Sequence, residues 1–424
     1  MTSRPQRRPP VPRRVGGDAA GPGRPSMGIA PLLAVVGLVV AAVLSLGLLS
    51  LSGSASAAPG TTPGPGATRT PTGPGPGQPT PNPSMVITPA PEQRAQVRGT
   101  MLFVRTGNIW SISGDKLTQL SDKGTDSWPA WAPDGARIYF TETRTVVAQS
   151  PWQGRDSKYT LIYPVIMSMA ADGSDREEVQ SGLYNLGGGA NRRYFQQLLQ
   201  ADVSPDGKQF ALVSDAPDPL TRDVTLSLMS TAGGKVTNLG VKDVSVLGHN
   251  DPDWSPDGKQ IAFSYNGRNG TVGAPRVGIY TLATKKVRYV GPRGFANPSW
   301  SPDGKYVVGE RTNGKGRDLA IVEVASGQEV NQLTRDGNSF SPVYSPDGTQ
   351  IAYLRLNGQA IDLRIMTLED DGSLKPALDK AITEDGSIDA SSSPAWFFPP
   401  DLRPALPSPA ASSARTESPV ATTP

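Results

Sequence analysis

The stretch PSWSPDGKYVVGER, residues 298–311, decides the fold, because it returns four more times without gaps. The other copies are PAWAPDGARIYFT from Pro129, ADVSPDGKQFALVS from Ala201, PDWSPDGKQIAFSY from Pro252 and PVYSPDGTQIAYLR from Pro342. The aspartates of the shared PDG core, Asp134, Asp206, Asp257, Asp303 and Asp347, are spaced by 72, 51, 46 and 44 residues. A period in the forties is that of a four-stranded propeller blade. Within each copy, proline presets φ at the second turn position, aspartate tolerates the third, and glycine takes the left-handed conformation that closes a hairpin. The flanks read as strands: Trp300 before the turn, then Tyr306, Val307 and Val308 after it. A third strand, DLAIVEV (318–324), and a fourth over 329–334 complete the blade.

The two ends of the body supply a sixth unit. SPAW (393–396) repeats the first strand and stops, whereas TMLFVRTGNIWSISGDKLTQLS (100–121) matches the other three strands and lacks the first. One C-terminal and three N-terminal strands therefore predict an all-β, six-bladed β-propeller over residues 97–398, with no open sheet edge at the seam. The motif PxWSPDGxxIAF followed by an LxxMxL-type strand resembles the repeat of TolB-like β-propellers over about 300 of the 424 residues. That resemblance implies an exported, non-catalytic docking module of the bacterial cell envelope that binds partner proteins. The small α/β domain that precedes the propeller in TolB has no counterpart here, so the family's periplasmic partners do not carry over.

In its place stand three zones. Residues 1–26 hold six arginines and one acid and read as a basic, disordered cytoplasmic tail. Residues 28–51, GIAPLLAVVGLVVAAVLSLGLLSL, are uncharged and long enough to cross a bilayer, which predicts a transmembrane signal-anchor over 27–51. Arginines only on its N-terminal side place that tail in the cytoplasm and the propeller outside. The rival is a secreted form cleaved near Ala57, since Ala55-Ser56-Ala57 fits a small-residue cleavage site. Residues 52–96 then form a Pro/Gly/Thr-rich linker: 59–91 alone hold eleven prolines and six glycines and read as a semi-extended stalk. Residues 399–424 read as a disordered Pro/Ser-rich tail.

Composition limits the chemistry. With no cysteine and one histidine, the chain has no thiolate site, cysteine nucleophile or multi-histidine metal centre, and no catalytic residue, metal or cofactor is expected. The net charge of +3 belongs to the tail, which alone carries +5, so the body offers no basic surface for nucleic acid. His249, in GHNDPDW, pairs on paper with Asp251 or Asp253 as a base, but reads more simply as a polar loop residue at a blade start. The PDG aspartates read as turn formers, and Trp131, Trp254, Trp300 and Trp396, recurring at one position, as packing between blades. A serine-peptidase domain would need a GxSxG elbow and a further α/β region. An alternative to recognition is a hydrolase or lyase acting on envelope glycans or peptides, which would need carboxylates with mutually shifted pKa values at the channel mouth.

One segment departs from the repeat. The first repeat is longer by about 25 residues, placed at 145–158 and 181–200. The latter, SGLYNLGGGANRRYFQQLLQ, predicts a glycine-rich loop and a short helix from Asn191. Its Tyr184, Arg192, Arg193, Tyr194 and Phe195 form a candidate partner-binding patch, against the plainer reading that the insertion caps its own blade.

Overall fold

A computed structural model describes residues 97–403, apart from 150–157, 188–190, 220–221, 242–247, 267–273 and 384. The expected basic tail, anchor helix and linker, and residues 404–424 of the expected C-terminal tail, lie outside the described residues. Among those described, no helix is long and apolar enough to cross a membrane.

The chain opens with β1 (Val97–Arg105), β2 (Asn108–Gly114) and β3 (Lys116–Gln119) of blade 1. Blade 2 follows as β4 (Asp126–Trp131), β5 (Arg137–Gln149), β6 (Lys158–Ala170) and β7 (Glu177–Ser181), then a separate hairpin of β8 (Leu183–Asn185) and β9 (Arg193–Phe195). Blade 3 is β10 (Leu199–Val203), β11 (Gln209–Ser214), β12 (Thr225–Ser230) and β13 (Thr237–Asn238). Blade 4 is β14 (His249–Trp254), β15 (Gln260–Tyr265), β16 (Arg276–Thr281) and β17 (Lys286–Val290). Blade 5 is β18 (Phe295–Trp300), β19 (Tyr306–Asn313), β20 (Gly316–Glu323) and β21 (Glu329–Gln332). Blade 6 is β22 (Ser339–Tyr344), β23 (Gln350–Asn357), β24 (Ala360–Leu368) and β25 (Pro376–Ala381). Finally β26 (Ala395–Phe397) returns to blade 1, giving the order β26-β1-β2-β3. Trp396 pairs with Met101, and its indole Nε1 donates to the Arg98 carbonyl at 2.7 Å. The six blades and the mixed closing blade are those the sequence predicts.

The turns form as their residues demand. In four copies the serine hydroxyl donates to the Asp two residues on, and that carboxylate accepts the backbone N–H beyond the glycine. The glycines at the tips have φ between 67° and 75°, a region that costs a residue with a Cβ. The structural reading of these aspartates therefore stands on their geometry. Six apolar clusters fill the six blade interfaces. Trp254, Trp300 and Trp396 each sit in one, while Trp131 packs at the edge of a fourth.

Two expectations need correction. No helix starts at Asn191: Arg193–Phe195 pair antiparallel with Leu183–Asn185, and Leu199 already opens blade 3. His249 is no loop residue. It begins β14, is fully buried, and packs against the rings of Phe263 and Tyr265. Its Nδ1 accepts the Leu226 N–H at 2.9 Å, and burial holds its pKa down at about 4. A neutral imidazole that ties strand to strand inside a core is in no position to act as a base.

Candidate functional site

The first strand of each blade lines the centre of the ring, and in five of them it bulges at one level. Trp128, Gln200, Asp251, Asn297 and Ser341 all have φ between 49° and 54°, and each stands where strand register slips by one residue. A non-glycine residue in this region is uncommon, and for a side chain as bulky as Trp128 it is an outlier. Five repetitions at one level mark it as part of the design.

The bulge releases a backbone N–H from its own sheet and turns it to the preceding blade. Asp251 N–H donates to Gln200 Oε1 at 2.9 Å while Gln200 Nε2 returns a bond to Asp251 Oδ1 at 2.7 Å. Ser264 Oγ donates to Asp251 Oδ2 and accepts the Asn297 N–H. Asn297 Nδ2 reaches both Glu310 and Ser341, and Glu310 accepts the Ser341 N–H. A chain of hydrogen bonds thus runs around the channel from blade 3 to blade 6. At the seam, Trp128 N–H donates to Ser392 Oγ and its indole Nε1 to the Ser391 carbonyl. Three residues further along each strand a second tier repeats the motif: Asp202 accepts the Trp254 N–H, Asp253 the Trp300 N–H, and Ser299 the Tyr344 N–H.

Two cavities stack at this belt and share Asp251, Asn297 and Ser393. One, of about 300 Å³, is walled by the Pro-x-aromatic positions of the blades, with Trp128, Asp202, Asp251 and Asp253 among its residues. The other, of about 270 Å³, is almost wholly polar, with Asn250, Ser264, Glu310, Arg317 and Ser391. The carboxylates in the first are deep in protein and keep only part of their surface open to the cavity. Burial pushes Asp251 up to about 6, with the Glu310 charge adding to it. Asp202 and Asp253 are both raised by burial, and the charge of Asp202 raises Asp253 further, so the pair favours holding a proton between them. Among the described residues, no group of three His, Cys, Asp or Glu side chains could hold a metal ion.

The candidate patch of the insertion lies elsewhere. β5 and β6, at 13 residues each, pair all the way to Gln149 and Lys158, as an arm longer than any other blade strand. On one face of the arm Ala148 and Leu161 are buried, and the β8–β9 hairpin packs there, with the Tyr159 hydroxyl donating to the Arg193 carbonyl. Tyr184 and Tyr194 meet edge to face at 6.2 Å, and Phe195 lies 5.3 Å from Tyr194. Burial raises both tyrosine hydroxyls, Tyr184 to about 12. Arg192 and Arg193 share the half-buried state of these rings. On the other face of the arm, Val147 is 60% and Ile162 42% exposed. The belt was not legible in the sequence, although its five members share one signal: each stands three residues before the recurring Trp, Tyr or Val.

Comparisons with known proteins bear on the repeat. Residues 193–397 match the family model of the TolB beta propeller domain. TolB of Acinetobacter baumannii superposes with a TM-score of 0.50 at 20% identity, over 72% of this chain and 68% of that one. A structure described as putative TolB from Agrobacterium tumefaciens gives 0.49 at 15% identity, over 72% and 94%. An uncharacterized protein of Agrobacterium fabrum is 28% identical over 155 residues, which is 36% of this chain and 43% of that protein. The chain thus spans less than half the length of that curated relative. Taken with the five SPDG-type repeats and the closing strand, the match makes the ring of this chain a TolB-like β-propeller.

Proposed function

We propose that the protein is a membrane-tethered, extracytoplasmic recognition module of the bacterial cell envelope, which binds a partner protein or ligand and performs no bond chemistry. The observation that carries this reading is the outgrowth of blade 2. Ring closure needs neither the arm nor the hairpin, yet the chain spends an insertion there and leaves Val147 and Ile162 in water. Exposed apolar side chains on one face of the arm, with half-buried aromatics and arginines packed on the other, suit a docking surface. We place the partner contact at Tyr184, Arg192, Arg193, Tyr194 and Phe195, and the tether at residues 28–51, whose flanking arginines favour a cytoplasmic N-terminus. Crosslinking the full chain in its native envelope tests this. A captured envelope protein that is lost when 184–195 are replaced by a two-glycine link supports the patch; capture unchanged by that replacement refutes it. The replacement spares Gln197, whose N–H holds Asp215. A mature chain starting at Ala58 would refute the tether.

The raised pKa values of Asp202, Asp251 and Asp253 favour one second reading, an envelope hydrolase or lyase with these carboxylates as acid and base. Against it, Asp202 and Asp253 are each committed to a backbone N–H of the next blade. Loss of turnover on envelope glycans or peptides in Asp251→Asn would support that reading.

A further inference from the structure

The channel aspartates join adjacent blades through one or two hydrogen bonds each, which leaves their charge unanswered. Asp202, Asp251 and Asp253 face one cavity of about 300 Å³, and among the described residues none of them has a lysine or arginine within ion-pair distance. Glu310, just beyond, has Arg317 at 3.1 Å, and the charge of Arg317 reaches Asp251 only as a partial offset to burial. Carboxylates kept deep in a protein without a cation are costly, and such groups are ordinarily paired. The same cavity has aromatic walls. Trp128 is held there in a strained left-handed conformation by its bonds to Ser391 and Ser392. Trp254 and Tyr344, 7% and 6% exposed, also line it. A single ion cannot answer all of this, because the acids are not grouped to coordinate a metal.

We propose that this cavity is a binding site for an organic cation, the ammonium or guanidinium group of a lysine- or arginine-like ligand. The charged head would meet the three aspartates, and its alkyl stem would lie along the indole of Trp128, an arrangement aromatic rings favour for cations. The site is independent of the arm, so its failure leaves the partner patch untouched.

The test uses the full chain in detergent micelles and isothermal titration with five probes: the N-acetyl methylamides of lysine, arginine and norleucine, then n-butylamine and calcium chloride. The expected result is binding of the lysine and arginine diamides, with norleucine, which has no charge, at least about tenfold weaker. Asp253→Asn, which keeps an acceptor for the Trp300 N–H, should weaken the lysine diamide by about tenfold or more. Asp303→Asn, in a turn outside the cavity, should leave it unchanged. Butylamine binding as tightly as the diamide would identify a free amine as the ligand; weaker binding would identify a peptide side chain. No heat from either diamide, norleucine binding equally well, binding unaltered in Asp253→Asn, or calcium binding while the amines do not, would each overturn the proposal.

Discussion

Asp253 and Asp257 lie four residues apart in one strand and turn, and their environments push them in opposite directions. Asp257 sits in the SPDG turn. Burial works against its charge, but the Ser255 hydroxyl and the Lys259 N–H outweigh it and hold the carboxyl below its usual range. Asp253 faces the channel, where burial and the neighbouring Asp202 raise it well above that range. The same contrast separates Asp202 from Asp206 one blade earlier. One residue type thus serves two purposes within a repeat. At the rim it is a charged turn former that the fold needs; in the channel it is an acid that burial pushes toward its protonated form. That distinction is what points to a ligand.

The contrast depends on an intact ring, so the largest effect should come from opening it. Trp396→Ala removes a buried side chain from the blade 6–blade 1 cluster and the Nε1 bond to Arg98. It should cost about 3–5 kcal/mol, read by chemical denaturation, and should abolish any channel binding. A loss below about 1 kcal/mol would mean that the closing strand contributes little.

His249 sharpens the contrast through pH. Its folded pKa, held down at about 4 by burial, lies below the ordinary value of 6.5, so the unfolded chain takes up a proton first as pH falls. Its contribution is therefore present above about pH 6.5 and is lost between there and pH 4, in total about 3 kcal/mol. Asp251, raised to about 6, has the opposite sign: the folded chain takes up the proton first, so stability rises as pH falls through 6. His249→Asn, which keeps an acceptor for the Leu226 N–H, should unmask that rise between pH 6.5 and 4. An unchanged pH profile would contradict the assignment.

The insertion should matter least to stability. Replacing 184–195 by two glycines removes a hairpin that belongs to no blade, and should cost about 1 kcal/mol or less. A loss of several kcal/mol, read by the same denaturation, would favour the view that the hairpin caps its own blade.

The architecture was legible because its signals are chemical and repeated: Ser-Pro-Asp-Gly makes one turn wherever it stands, and Trp396 without a following turn can only be a strand looking for its sheet. The belt escaped for the opposite reason. Trp128, Gln200, Asp251, Asn297 and Ser341 share a backbone conformation and no chemistry, and four of them precede a proline, a context that ordinarily signals extended backbone. The sequence hides the role of His249 because Gly-His-Asn-Asp carries loop residues, although its imidazole replaces a strand bond inside the core. The expected helix at Asn191 failed because the pairing of Arg193–Phe195 with Leu183–Asn185 overrides local propensity.

The central claim is that rim and channel aspartates play opposite parts, and paired denaturation of Asp253→Asn and Asp303→Asn at pH 7 tests it directly. Asp303→Asn weakens the bonds from the Ser301 hydroxyl and the Lys305 N–H and should destabilise by about 1 kcal/mol, since the group is partly open to solvent. Asp253→Asn removes a carboxyl whose burial favours proton uptake on folding, while keeping an acceptor for Trp300, and should raise stability. Destabilisation of both by similar amounts would show the channel aspartates to be ordinary structural acids.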